Sequence, residues 1–204
     1  MKNNLIIIPN LEMGNYASIK NMLKKCGADC LISDNPDDIQ KCNKLILSGV
    51  GSFDTGIQLL KNKNWFDKIL KFASISNNYI LGICLGMQLL CKKSEEGILD
   101  GLGLIDANVT KINSQNIKVP HMGWNIVKPV KNNLLIKHTS LEQRFYFVHS
   151  YKVVCNKKSN IIAKTFYDSY ITAIIQNDNI FGVQFHPEKS HRFGQSLMNN
   201  FVEF

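Results

Sequence analysis

Gly82-Ile83-Cys84-Leu85-Gly86 decides the fold. It closes the apolar run Tyr79-Ile83 and opens a second apolar run, Leu85-Lys92, whose pattern predicts a helix. A strand that turns sharply into a helix through Gly-x-Cys-x-Gly is the setting of a nucleophile elbow, with Cys in place of Ser. The turn is tight, so glycines flank the nucleophile where a Cβ would clash. The helix N-terminus favours a thiolate, and the backbone N–H of Leu85 points where an oxyanion would form. A buried structural cysteine between two accommodating glycines is the plain alternative.

Upstream of the elbow the chain alternates strand and helix. Leu5-Ile8 reads as a buried strand stopped by Pro9, and Asn15-Lys25 as a helix closed by Gly27. Ala28-Ile32 and Leu45-Leu47 are further strands, followed by helices over Thr55-Leu60 and Trp65-Ala73. Repeated strand–helix units imply a mostly parallel sheet with helices on both faces and ligands at the carboxyl ends of its strands. Downstream, segments 107–112, 124–128, 145–148, 151–155, 161–166, 171–176 and 180–185 are short and β-rich, and predict antiparallel strands added to that sheet. A helix over Phe193-Val202 ends the chain. The expectation is a Rossmann-like α/β fold in one domain, residues 1–204.

A thiolate nucleophile needs a base and a group that orients the base. In Gly182-Val183-Gln184-Phe185-His186-Pro187-Glu188 an apolar strand runs directly into His186, and Glu188 lies close enough to hold the imidazole's tautomer. His149, in Phe147-Val148-His149-Ser150-Tyr151, and His121, in Pro120-His121-Met122-Gly123-Trp124, have no carboxylate two or three residues away and read as binding or interface residues. His138 and His191 read as exposed polar positions. The loop Ser48-Gly49-Val50-Gly51-Ser52 also ends a strand. It reads either as the second half of an oxyanion hole or as a tight strand-to-helix connection, and it lacks the Gly-Lys-Ser/Thr of a P-loop.

Composition narrows the classes. The chain has 204 residues, 45% of them hydrophobic, enough for a core that needs no disulfide or metal staple. No apolar run reaches the ~18 residues of a membrane span, and nothing reads as a signal peptide. Six scattered cysteines with no zinc-ligand pattern suggest a reduced, cytoplasmic protein without a metal. The net charge is +8, and residues 107–160 hold nine Lys/Arg against the single acid Glu142. With 22 Lys but only 2 Arg in the chain, base readout is disfavoured, because base contacts lean on Arg. An acidic partner subunit or an anionic substrate suits the charge better than nucleic acid.

These segments together resemble the class I, or triad, glutamine amidotransferases, and within them the glutaminase subunits of imidazole glycerol phosphate synthase. The resemblance is carried by Gly14-Asn15, Gly49-Val50-Gly51-Ser52-Phe53, Gly82-Ile83-Cys84-Leu85-Gly86-Met87-Gln88, Pro120-His121-Met122-Gly123-Trp124-Asn125, Tyr146-Phe147-Val148-His149-Ser150-Tyr151 and Gly182 to Ser190, in order along nearly the whole chain. It implies that Cys84 attacks the side-chain amide of L-glutamine, His186 shuttles the proton and Glu188 orients it. It further implies that the N–H groups of Val50 and Leu85 hold the oxyanion. Gly51, Gln88, Glu96, His149, Ser150 and Tyr151 would bind the substrate, with no cofactor. The implied partner is a (βα)8 cyclase/synthase subunit of HisF type, met as a heterodimer through Asn15, Met122 and Trp124.

Two departures bear on the acceptor of the ammonia. The family usually reads Asp-Tyr-Gly-x-Gly-Asn where this chain has Asn10-Leu11-Glu12-Met13-Gly14-Asn15, and Pro where it has Ser48. Both lie on the side through which a partner would act. They admit a paralogue that feeds ammonia to a sugar-amidating synthase of surface-polysaccharide pathways. A non-catalytic binding subunit is opposed by the intact Cys84, His186 and Glu188. A Cys–His–Glu peptidase is opposed by Gln88, Glu96 and the His-Ser-Tyr segment.

Overall fold

Strand β1 (Leu5–Pro9), helix α1 (Tyr16–Lys25), β2 (Asp29–Ser33), β3 (Lys44–Gly49), α2 (Phe53–Asn62), α3 (Phe66–Ala73), β4 (Tyr79–Cys84) and α4 (Leu85–Leu89) follow one another as the alternating pattern predicts. The structure is a computed structural model that describes residues 5–136 and 142–204. His138 lies outside the described residues. Asn15 caps α1 by accepting the Ser18 N–H at 3.3 Å. A 3₁₀ turn at Pro36–Lys41, not anticipated from the sequence, links β2 to β3.

The second half contributes β5 (Lys93–Ser94), β6 (Ala107–Lys111), β7 (His121–Pro129), β8 (Gln143–His149), β9 (Tyr151–Cys155), β10 (Ile161–Tyr167), β11 (Ser169–Asn177), β12 (Ile180–Val183) and the closing helix α5 (His191–Val202). The main sheet has nine strands in the order β2-β1-β3-β4-β12-β11-β10-β7-β8. Its first five are parallel, and β11, β10, β7 and β8 extend it antiparallel.

Three expectations need correction. Strand β12 is not an antiparallel addition: it lies parallel beside β4, with Gly182 opposite Gly82 and Val183 opposite Ile83. Strands β6 and β9 do not join the main sheet but form a separate three-stranded sheet with β5. Helix α4 stops at Leu89 rather than running to Lys92. The Lys92 N–H bonds the Ala107 carbonyl and Gly101 N–H bonds the Lys92 carbonyl, which draws the chain into the small sheet. Leu89, Leu90 and Cys91 are all fully buried, so an apolar run there cannot distinguish helix from a buried extended exit.

Alternation along the strands sorts the core into two layers. Ile6, Ile8, Ile46, Leu81 and Ile83 face α1 and α5, while Ile7, Leu45, Leu47 and Ile80 face α2, α3 and α4. Each such side chain contributes about 1.5–3 kcal/mol on burial. The elbow itself is packed to the limit. A Cβ on Gly86 would sit 1.8 Å from the Leu47 carbonyl oxygen, and one on Gly82 2.7 Å from the Gly86 carbonyl oxygen. Gly86→Ala is therefore expected to destabilise the chain by about 3 kcal/mol or more. Denaturant unfolding checks this, and an unchanged midpoint would contradict the close approach of α4 to β3.

Candidate active site

Cys84 stands at the top of β4 with φ 54° and ψ −110°, a backbone conformation a non-glycine residue holds only when its surroundings impose it. Strands β3 and β12 on either side, and the approach of Gly86 to β3, supply that constraint. The thiol is almost fully buried, its Sγ 3.9 Å from the Val148 carbonyl and 3.9 Å from Gln184 Nε2. Leu85 is the first residue of α4, so its N–H has no partner within the helix, and the residue lines the cleft beside Cys84.

His186 arrives from the adjoining strand. Beyond β12 the chain continues extended, and the His186 N–H bonds the Tyr146 carbonyl at 2.9 Å in an isolated antiparallel bridge. Buried Ser190 ties the turn together. Its Oγ donates to the His186 carbonyl at 2.6 Å and accepts the Tyr146 N–H at 3.0 Å. Glu188 Oε1 lies 2.8 Å from His186 Nδ1, with both side chains only 3% exposed. His186 Nε2 is buried and makes no hydrogen bond of good geometry, yet the Cys84 thiol is near enough to act on it electrostatically. Burial alone would lower the imidazole's pKa, but Cys84 and Glu188 outweigh it and hold it up to about 9. These are the residue types, in the order, that a thiolate hydrolase needs for nucleophile, base and orienting carboxylate.

The raised value carries a stability consequence. The folded imidazole holds its proton more tightly than the unfolded one, whose ordinary value is 6.5. The resulting stabilisation is complete below that pH and is lost as pH rises through about 9. Thermal midpoints are expected to fall across this window in the native chain and to fall less in His186→Asn. Parallel profiles for the two proteins would contradict the pairing.

A cleft of ≈ 340 Å³ opens beside Cys84, at the carboxyl ends of β3 and β4, and is lined by Val50, Gly51, Leu85, Gln88, Glu96, Pro120, Val148, His149, Ser150 and Tyr151. Every residue expected to bind substrate or hold the oxyanion lines it. Glu96 is fixed at one oxygen, since Oε2 accepts the Phe53 N–H at the start of α2 at 2.8 Å. Gln88 Nε2 donates to the Tyr151 carbonyl at 3.3 Å and to Gln184 Oε1 at 3.2 Å. The Val50 N–H is not directed at an oxyanion here: it donates to the Met13 carbonyl at 2.6 Å. His149 and His121 bond each other, the Tyr151 carbonyl and the Asn125 amide rather than a carboxylate, and burial lowers them to about 3 and about 4.

Met122 and Trp124 are exposed on β7, as expected of contact residues, and Asn15 is exposed at the start of α1. The Trp124 ring stacks on His191 at 5.3 Å and meets the Tyr146 edge at 6.1 Å. His191 is exposed as expected, and with Ser18 of α1 it borders one groove, which brings Trp124 and the α1 start to the same side. Sequence reasoning missed Gln184, Ser190 and the Met13 carbonyl. Gln184 had a signal, a polar residue inside an apolar strand end. The Met13 carbonyl had none.

A thiol on an elbow, a buried His–Glu pair and a cleft beside the thiol are an arrangement suited to hydrolysis of the triad type. Residues 7–204 match the family described as glutamine amidotransferase class-I, and the chain belongs to that family. Among its relatives, imidazole glycerol phosphate synthase subunit HisH 2 of Methanococcus maripaludis is 50% identical over 98% of this chain and 99% of that protein. The protein of the same name from Pseudomonas aeruginosa is 43% identical over the same shares. The fold is shared with the structure of PurLQS from Thermotoga maritima, at TM-score 0.77 and 18% identity over 100% of this chain and 99% of that one. Among the described residues no helix is long and apolar enough to cross a membrane.

Proposed function

We propose that the chain is the glutaminase subunit of an imidazole glycerol phosphate synthase, hydrolysing L-glutamine and handing the ammonia to a (βα)8 cyclase subunit of HisF type in a heterodimer. The observation that carries this reading is the Cys84–His186–Glu188 set opening on the cleft that holds Gln88 and Glu96. The similarity to HisH proteins over almost the whole chain supports the choice of partner.

In this reading the proton shared by Cys84 and His186 rests on the imidazole, held up to about 9, and Cys84 Sγ, relieved of it, attacks the carbon of the glutamine carboxamide. The developing oxyanion is met by the N–H groups of Leu85 and Val50. As the C–N bond breaks, His186 returns the proton to the leaving nitrogen, releasing ammonia and leaving a thioester on Cys84. Water then attacks the thioester with His186 as base, glutamate departs and the thiol is restored. Glu96 faces the substrate ammonium with its remaining oxygen, and Gly51, Gln88, His149, Ser150 and Tyr151 hold the rest of the amino acid. These steps use only this chain's groups and one water.

The Val50 N–H reaches the oxyanion only after leaving the Met13 carbonyl, so the peptide between Gly49 and Val50 must turn. A partner bearing on the Asn10–Asn15 segment, with Met122 and Trp124 as anchors, has a direct mechanical route to that bond. The altered Asn10-Leu11-Glu12 run and Ser48 favour a second reading, in which the same glutaminase serves a sugar-amidating synthase. Isolation of the native partner, with restoration of histidine prototrophy by this chain, supports the first reading. Recovery of a sugar-modifying synthase instead supports the second.

A further inference from the structure

Behind the cleft wall, outside the triad, side chains of β7 and β8 form a polar chain with a single direction. Asn125 is fixed at both ends of its amide: Nδ2 donates to the Phe166 carbonyl at 2.8 Å and Oδ1 accepts the Ile126 N–H at 2.8 Å. The same Nδ2 lies 3.2 Å from His121 Nε2, which must accept. His121 Nδ1 lies 2.9 Å from His149 Nε2. His149 Nδ1 lies 2.8 Å from the Tyr151 carbonyl, which only accepts. One assignment satisfies every contact: both imidazoles neutral, both protonated at Nδ1, each donating toward Tyr151. Burial lowers the pKa of both rings, which favours the neutral forms this needs. Two aromatic rings stack on His121, Phe147 at 4.5 Å and Tyr167 at 4.0 Å, and the Tyr167 hydroxyl is anchored on the Lys118 carbonyl. That carpentry sets the orientation of a ring that does not itself line the cleft.

We propose that His121 is a positioning residue for the bound glutamine. Through His149 it orients the Tyr151 carbonyl, which also receives Gln88 Nε2, and so fixes the segment 149–151 and Gln88 against the substrate. This rests on the glutaminase reading above. Without a donor at position 121, His149 Nε2 is left buried and unpaired, and His149 regains its pairing only by turning away from Tyr151.

The test compares His121→Leu with His121→Asn in the complex with the native synthase partner. Both remove the stacked ring, but Asn keeps an N–H near the place of Nδ1. The expected result is a KM for glutamine raised about tenfold in His121→Leu, the scale of one unmade buried hydrogen bond, and largely restored in His121→Asn, with kcat little changed in either. In the unsubstituted chain, ¹⁵N spectra of labelled histidines are expected to show His121 and His149 protonated at Nδ1 and unprotonated at Nε2. Equal KM values in the two variants would overturn the proposal, as would an Nε2–H tautomer at His149. Absence of any glutamine turnover by the unsubstituted complex would instead overturn the glutaminase reading beneath it.

Discussion

Cys84→Ser is expected to abolish glutamine hydrolysis while leaving the fold intact. The hydroxyl is close in size to the thiol and fits the same elbow, but it lacks the acidity that gives a nucleophilic anion near neutral pH. The remaining cysteines offer no substitute. Burial pushes Cys30, Cys42 and Cys155 up to about 11, and raises Cys26 and Cys91 as well, so all five stay thiols. Serine at those five positions should cost packing at most. Glutamate release measured on each variant, with unfolding curves alongside, checks both halves. Residual turnover in Cys84→Ser at the native rate would remove the nucleophile from this account.

His186→Asn is the second large effect, expected to lower turnover by at least ~10³-fold, because the group that takes and returns the proton is lost from both steps. Glu188→Gln should cost less. Glu188 acts through its 2.8 Å contact with His186 Nδ1 and never touches the reacting atoms, and an amide oxygen can still accept there. Single-turnover rates for the two variants separate the roles. A larger loss in Glu188→Gln than in His186→Asn would invert the assignment.

What was legible in the sequence follows the range of the forces involved. The elbow was readable because its glycines, nucleophile and flanking apolar runs are contiguous, although the close approach that demands Gly86 is to Leu47 on β3. The His186–Glu188 pair was readable because two residues of spacing hold it. Partners far apart in sequence were not. Nothing local in Ile180–Val183 tells that it will lie parallel to β4, and Ala107–Lys111 alternates just as a main-sheet strand would, although it pairs with Tyr151–Cys155 in a second sheet. The early end of α4 was hidden for a related reason, since a fully buried run carries no period. In the site, side chains left a trace and backbone did not. Gln88 and Glu96, which line the cleft, were singled out through the family resemblance, whereas the Met13 carbonyl that occupies the Val50 N–H could belong to any residue.

That last bond bears on the central claim, a glutaminase held idle until its synthase partner acts. Free ammonia would protonate in solvent and be lost, so hydrolysis without an acceptor is waste. Glutamate formation should be measured at saturating glutamine for the purified chain alone and with its native partner at saturation. The account predicts a low rate alone and stimulation of tenfold or more by the partner, a coupling of ordinary allosteric size. Full activity of the isolated chain, unchanged on adding the partner, would contradict it.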